Sequence, residues 1–232
     1  MITTILTTYN RPHLLNEQIQ AIQSQTIDSK IMVWMNKGKK PFNIIEDNNI
    51  IVSQCSHNMK FHSRFSFALN AQTEYVALFD DDTIPGPKWF ENCINSIKKK
   101  DGIYGSVGIE LTGNGYSPRK RHGWPSQNKE ITQVHLVGHA WFMKTDYLKY
   151  LWYERPASFD NGEDIQLSYL AKKYAGINTY VPPHPKDQKE LWGSIKAVEY
   201  GADDNASYKV NKNHPIIRDE LCKKFQKEGW VL

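Results

Sequence analysis

The sequence predicts an α/β fold, a Rossmann-like three-layer sandwich around a mostly parallel central sheet. Apolar, β-branched runs alternate with segments of helical hydrophobic spacing through the first half of the chain. One such run, Tyr75-Val76-Ala77-Leu78-Phe79, shows no polar alternation, the pattern of a strand buried on both faces. It ends in three consecutive carboxylates, Asp80-Asp81-Asp82. Ligands of open α/β sheets bind at the carboxyl ends of strands, so the carboxylates fall where a site belongs.

In order, Ile2 to Thr8 reads as a first strand, punctuated by Asn10-Arg11-Pro12, where Asn10 suits a helix cap and Pro12 a first turn. Leu14, Leu15, Ile19 and Ile22 follow at helical spacing. Lys30 to Met35 and Ile50 to Gln54 read as the next two strands. A helix is expected from Phe61 to Ala71, with Phe61, Phe65, Ala68 and Leu69 on one face. Beyond Pro85-Gly86-Pro87, an amphipathic helix carries Trp89, Phe90, Cys93, Ile94 and Ile97. From Thr112 to Glu130 the pattern breaks into turn-rich stretches around a basic run, Arg119-Lys120-Arg121-His122, as expected of a binding loop or lid. Strands are expected near Val134 to Val137 and Ala140 to Met143. Helices are expected over Asp146 to Trp152, Glu163 to Tyr174, and Pro215 to about Lys227.

The chain has 232 residues, 40% of them hydrophobic, enough for a sizeable core and against wholesale disorder. Its net charge of +4 comes from 29 basic and 25 acidic residues that are interspersed, which is too mild to argue by itself for a nucleic-acid partner and is compatible with a pocket for an anionic diphosphate. Cys55, Cys93 and Cys222 are odd in number and far apart, so neither a disulfide framework nor a zinc site is indicated. No apolar run approaches the roughly 20 residues that span a bilayer, and the N-terminus lacks a secretory pattern. A cytoplasmic placement with no integral membrane segment is the simplest expectation.

Adjacent carboxylates repel, and gathering them at a strand end costs stability unless a cation relieves the charge. Mg²⁺ and Mn²⁺ favour oxygen ligands and use one or two carboxylates together with substrate phosphates. The bland alternative is a solvated acidic turn in which Thr83 caps the next element.

With that run, the order of motifs resembles a known family. Val76 to Asp82 looks like the DxD motif of GT-A (nucleotide-diphospho-sugar transferase) fold glycosyltransferases. Ile5-Leu6-Thr7-Thr8-Tyr9-Asn10-Arg11-Pro12 is similar to the nucleotide-binding first loop of glycosyltransferase family two, and Glu163-Asp164 to that family's ED motif. A finer echo, of the exostosin-like transferases, lies in Val33-Trp34-Met35-Asn36-Lys37-Gly38, in Arg64 and, with a one-residue shift, in Asn58. The resemblance covers residues 2 to 180. It implies one GT-A domain over 1–232, with a nucleotide-sugar-binding half (1–110), an acceptor-binding half (111–181) and a C-terminal extension (182–232).

The resemblance implies a metal-dependent transfer from a nucleotide sugar, UDP-linked by family habit, to a glycan or glycoconjugate acceptor, with Mn²⁺ or Mg²⁺ as cofactor. Asp82 is expected as metal ligand, Asp80 on the ribose or a metal-bound water, and Asp81 near the donor. Thr8, Tyr9, Arg11, Asn36 and Asn58 are expected to line the nucleotide pocket, and Arg64 to meet phosphate oxygens with its rigid fork. Asp164 is the candidate general base of an inverting transfer, with Glu163 binding the acceptor or orienting that base. The bland alternative is that both are ordinary first-turn acids of a helix. A retaining, exostosin-like reaction would give Asp164 another role.

His184, within Val181-Pro182-Pro183-His184-Pro185, is a further metal-ligand candidate or simply a loop residue. His139 and Trp141 lie where the family shapes its sugar and acceptor pocket, and Trp141 suits either a sugar face or the core. Arg119 to His122 suits a solvated loop or a phosphate clamp, and the positions of Trp192 and Lys196 suit closure over the nucleotide. The rival classes are a catalytically silent carbohydrate-binding module and, more distantly, a nucleic-acid binder. A haloacid-dehalogenase phosphatase fits poorly, because Ile84 stands where a Thr or Val belongs.

Overall fold

A strand that runs straight out of the first residues sets the centre of the sheet. In the computed structural model, which describes residues 1–37 and 49–232, β1 (Ile2–Thr8) lies between β2 (Ser29–Met35) and β4 (Tyr75–Phe79). Gly38, which closes the strand-two segment of the sequence resemblance, lies outside the described residues. The other strands are β3 (Ile50–Gln54), β5 (Gly102–Leu111), β6 (Arg119–Gly123), β7 (Thr132–Val134), β8 (Leu136–Lys144) and β9 (Asn178–Val181). They join one sheet in the order β3-β2-β1-β4-β8-β5-β9-β7, with β6 paired to β5. Strands β1 to β4, β5 and β9 share one direction, and β6, β7 and β8 run against it.

Side chains of successive strand residues leave opposite faces, and the two cores follow that alternation. Leu6, Ala77, Phe79, Ala140 and Phe142 pack one face against α1 (Leu15–Gln23) and α3 (Trp89–Ile97). Ile5, Val76, Leu78, Trp141 and Met143 pack the other against α2 (His62–Ala68), α4 (Glu163–Ala175) and a 3-10 segment, Thr145–Trp152. Val76 to Phe79 are completely buried, at roughly 1.5–3 kcal/mol for a large apolar side chain. Two short helices, α5 (Ala197–Tyr200) and α6 (Ser207–Val210), lead to α7 (His214–Lys227), which packs Leu221, Cys222 and Phe225 against Ile165 and Tyr169 of α4.

Several sequence expectations need correction. Arg11, not Asn10, occupies the cap position before a 3-10 turn (Pro12–Leu14), and no side chain caps it. The second helix ends at Ala68, so Leu69 leaves the apolar face and is half exposed. The basic run is not a loop: Arg119–Gly123 pairs antiparallel with β5, as Leu111↔Arg119 through Val107↔Gly123, a hairpin whose charged side chains suit a sheet edge. The two strands expected around Gly138-His139 are one, β8, which runs through both residues. Asp146 to Trp152 is 3-10 rather than α-helical.

Candidate active site

The carboxyl ends of β1, β2 and β4 open on the same edge of the sheet. Past Phe79 the chain turns at once: the Thr83 amide donates to the Asp80 carbonyl at 3.1 Å, and Gln18 of α1 donates its amide to the carbonyls of Asp80 and Thr83 at 2.7 and 3.0 Å. That bracing holds the three aspartates against the rim.

Across the sheet, the Asp80 amide donates to the His139 carbonyl at 3.0 Å, one position beyond the Phe79↔Ala140 pair of β4 and β8. His139 has φ +65°, a left-handed conformation that costs a non-glycine residue about 1–3 kcal/mol. The Thr83 hydroxyl, donating to the same carbonyl at 3.1 Å, helps to hold it there. As a result, ligand atoms of Asp80, Asp82 and His139 lie within 4.8 Å of one another, with His139 Nδ1 3.9 Å from Asp80 Oδ2. Nδ1 is buried and has no hydrogen-bond partner. Two carboxylates and a free imidazole nitrogen form an O,O,N donor set that fits Mn²⁺ and, through its oxygens, Mg²⁺. Burial, then the neighbouring Asp80, push Asp82 up to about 6; burial pushes Asp81 to about 6 as well, outweighing its ion pair with Arg11. A bound cation would relieve that charge.

Three arginines knit the carboxylates together. Arg11 donates to Asp81 at 2.6 Å, lies 3.6 Å from Asp82, and grips both oxygens of Asp203 at 3.1 and 2.6 Å. The Arg11 hydrogen bonds hold Asp203 down at about 2. Arg64 donates to Asp80 and, at 3.0 Å, to Glu163, while its guanidinium lies 4.8 Å from the Trp141 ring. Arg218 of α7 grips Asp164 at 2.9 and 2.7 Å. Burial alone would raise Asp164, but the Arg218 charge and hydrogen bonds outweigh it and hold the carboxyl below its usual range. Glu163 goes the other way, pushed up to about 7 by burial and then by Asp164 beside it. Gly162 heads α4 with φ +93°, and a Cβ there would stand 2.2 Å from Leu221 of α7, so glycine permits both the turn and the docking of that helix.

Residues 3–152 match the model of glycosyl transferase family 2. The chain belongs to that family. A curated relative from Haemophilus influenzae, described as an uncharacterized glycosyltransferase, is 23% identical over 111 residues, 44% of this chain and 34% of the other. The chain thus spans about a third of that relative's length. Among solved structures, residues 1–349 of S. aureus TarS superpose with a TM-score of 0.56 at 16% identity, covering 90% of this chain and 68% of that one. A longer S. aureus TarS structure gives the same TM-score and identity, covering 100% of this chain and 44% of that one. At that identity the likeness shows the fold, which is GT-A. Among the described residues, no helix is long and apolar enough to cross a membrane.

Within this family 2 domain the structure brings most of the expected residues to one edge, though not always in the expected posture. Thr8, Tyr9 and Asn36 stand at the ends of β1 and β2; the Asn36 amide donates to Asn58 at 2.8 Å and accepts from the Met59 amide at 2.7 Å. Arg64, expected on a donor phosphate, is buried and committed to two carboxylates. Trp141 offers no face to a sugar: it is buried, edge-on to Phe65 and beneath Arg64, with Nε1 donating to the Val137 carbonyl at 2.9 Å. His139, expected on the acceptor, stands with the carboxylates, and His184 is not part of that group. The His184 ring is wholly buried 4.0 Å from Trp192, and burial lowers it to about 4. Lys196 pairs with Glu17 of α1 at 2.5 Å. Sequence reading missed Gln18, Asp203 and Arg218, whose sequence neighbourhoods carry no motif. The family match ends at residue 152, before Glu163, Asp203 and Arg218.

Proposed function

We propose that this domain transfers a sugar from a nucleotide-diphosphate donor, UDP-linked as the first expectation, to a hydroxyl of a glycan or glycoconjugate, with inversion and with Mn²⁺ or Mg²⁺ as cofactor. The observation that carries the reading is the Asp80, Asp82 and His139 group, with its unpartnered imidazole nitrogen, at the ligand-binding edge of a GT-A sheet. When bound there, a divalent ion supplies Lewis-acid stabilisation to the charge that develops on the departing diphosphate. Thr8, Tyr9, Asn36 and Asn58 line the nucleotide side, and Arg11 neutralises Asp81.

On the acceptor side, Asp164 takes the proton of the attacking hydroxyl. Arg218 fixes the carboxylate plane, and Oδ2 keeps lone-pair capacity beyond its single N–H partner. Gly138 leaves the approach open, since even a Cβ there would stand 3.7 Å from Oδ2. One observation favours Glu163 as the base instead: its carboxyl, pushed up to about 7, is better matched to proton transfer at neutral pH. Release of nucleoside diphosphate from a panel of nucleotide sugars, in Mn²⁺ and in EDTA, tests the function. Asp164→Asn and Glu163→Gln assign the base, since its replacement removes turnover while leaving donor binding. No metal-dependent turnover or binding with any donor would leave the silent carbohydrate-binding module as the better account.

A further inference from the structure

The basic run on β6 has two chemically different faces. Lys120 and His122 point to one side, where both meet Glu110 at 3.4 and 2.9 Å. Arg119 and Arg121 point to the other, the side of their cross-strand partners Leu111 and Ile109, which pack against α4 and α7. Among the described residues, neither arginine pairs with a carboxylate. Arg119 donates to the Ser117 hydroxyl at 2.6 Å and the Tyr116 carbonyl at 3.4 Å, and Arg121 to the Trp124 carbonyl at 3.0 Å. Arg11, Arg64 and Arg218, by contrast, are all ion-paired.

Aromatic rings tie this uncompensated charge to the reacting end of the site. Tyr116 is flanked by the guanidinium groups of Arg119, 4.3 Å from its ring centroid, and of Arg218, 4.6 Å from it; Arg218 grips Asp164. Trp124 has Arg121 at 5.3 Å and the His139 ring at 5.5 Å. Both aromatic side chains are half buried and both arginines are exposed, so the rings hold the guanidinium groups in place at the surface, with the Arg121 head enclosed enough that burial lowers its pKa. An arginine fork stacked on a ring and lacking an internal carboxylate is suited to bind a planar or tetrahedral oxyanion in two-pronged fashion.

We infer that Arg119 and Arg121, held by Tyr116 and Trp124, form a subsite for an anionic group on the acceptor, a phosphate ester or a carboxylate lying near the hydroxyl that is glycosylated. Its place in catalysis rests on the acceptor side proposed above, but its binding chemistry does not.

The test is a calorimetric or NMR titration of the full chain in EDTA at low ionic strength, which leaves no metal to bind phosphate at the aspartates. Glucose 6-phosphate, glucuronate and glucose are the probes. The expected result is that one or both anionic sugars bind about tenfold more tightly than glucose, the better one naming the anion, and that Arg119→Gln/Arg121→Gln weakens this by about fivefold or more. Lys120→Gln/His122→Gln, which alters the opposite face of the same strand, should leave it within about twofold. Arg121→Gln alone serves if the double variant does not fold, with a smaller loss in the same direction. Equal binding of glucose and both anionic sugars, or equal weakening by variants on the two faces, overturns the subsite. Failure of sugar transfer with anion selectivity retained would refute the function proposed for the domain and leave the subsite standing.

Discussion

The guanidinium of Arg218 grips both carboxylate oxygens of Asp164, at 2.9 and 2.7 Å, in a pair buried between α7 and the start of α4. The C-terminal helix thereby sets the geometry and charge of a residue 54 positions earlier in the chain.

Removing that grip should cost both stability and activity. Arg218→Ala leaves a buried carboxylate unpaired, at about 3–5 kcal/mol, and Arg218→Lys should recover part of it. Asp164 has a depressed folded-state pKa, so the pair contributes fully above the unfolded value of about 4 and is lost as pH falls through the folded value. Without Arg218, burial is opposed only by the smaller effects of the Ile165 amide and His214, and the Asp164 pKa rises. If Asp164 is the base, the acid limb of the pH–rate profile then moves to higher pH, while an unmoved limb would point to Glu163.

Asp82→Asn should stabilise the metal-free protein while abolishing its response to Mn²⁺. The Asp82 carboxyl titrates near 6 in the fold against about 4 unfolded. A raised acid pKa means that the folded state binds the extra proton, so stability falls as pH climbs from about 4 to about 6 and stays lower above that. The substitution should therefore add about 1–2 kcal/mol at pH 7.5 and nothing near pH 4. Denaturant melts at the two pH values in EDTA check the sign.

Proton competition should make metal binding weaken on acidification. Mn²⁺ requires ionised Asp82 and neutral His139, and burial lowers the pKa of His139, which favours the neutral imidazole. The rise in melting temperature caused by Mn²⁺ should shrink from pH 7.5 to pH 5.

His139 has two separable roles, as imidazole and as left-handed backbone. His139→Asn tolerates φ +65° and should lose chiefly Mn²⁺ affinity, by about tenfold or more. His139→Ala should lose the same affinity and about 1 kcal/mol of apo stability in addition. Equal apo stability in the two variants would argue against strain at this position.

What the sequence disclosed follows the range of the interactions concerned. Val76 to Phe79 and the aspartates after them were legible because burial on both faces and an abrupt polar end are local properties. The edge at which Thr8, Asn36 and Asp80 meet follows from parallel strands leaving the sheet together. The metal group was half legible: Asp82 belongs to a motif, but His139 joins it only because one residue of β8 takes positive φ, and no residue pattern announces that. The pairing of Arg64 with Asp80 and Glu163 is not legible in the sequence, since it depends on α2 and α4 facing each other. Arg218 and Asp203 carried no local signal at all; Asp203 meets Arg11 across 192 positions. The strand character of the basic run is hidden in the sequence because charge masks strand alternation, yet that alternation separates Arg119 and Arg121 from Lys120 and His122.

In the function proposed for this domain, Asp80, Asp82 and His139 hold a divalent ion to which the donor's diphosphate binds. Calorimetric titration of the full chain with UDP, GDP, CDP and ADP, in Mn²⁺ and in EDTA, addresses it directly. The preferred nucleotide should bind at least about tenfold more tightly in Mn²⁺, and Asp82→Asn in Mn²⁺ should behave like the wild type in EDTA. Equal affinity with and without Mn²⁺, or an Asp82→Asn variant with the full Mn²⁺ effect, would contradict it.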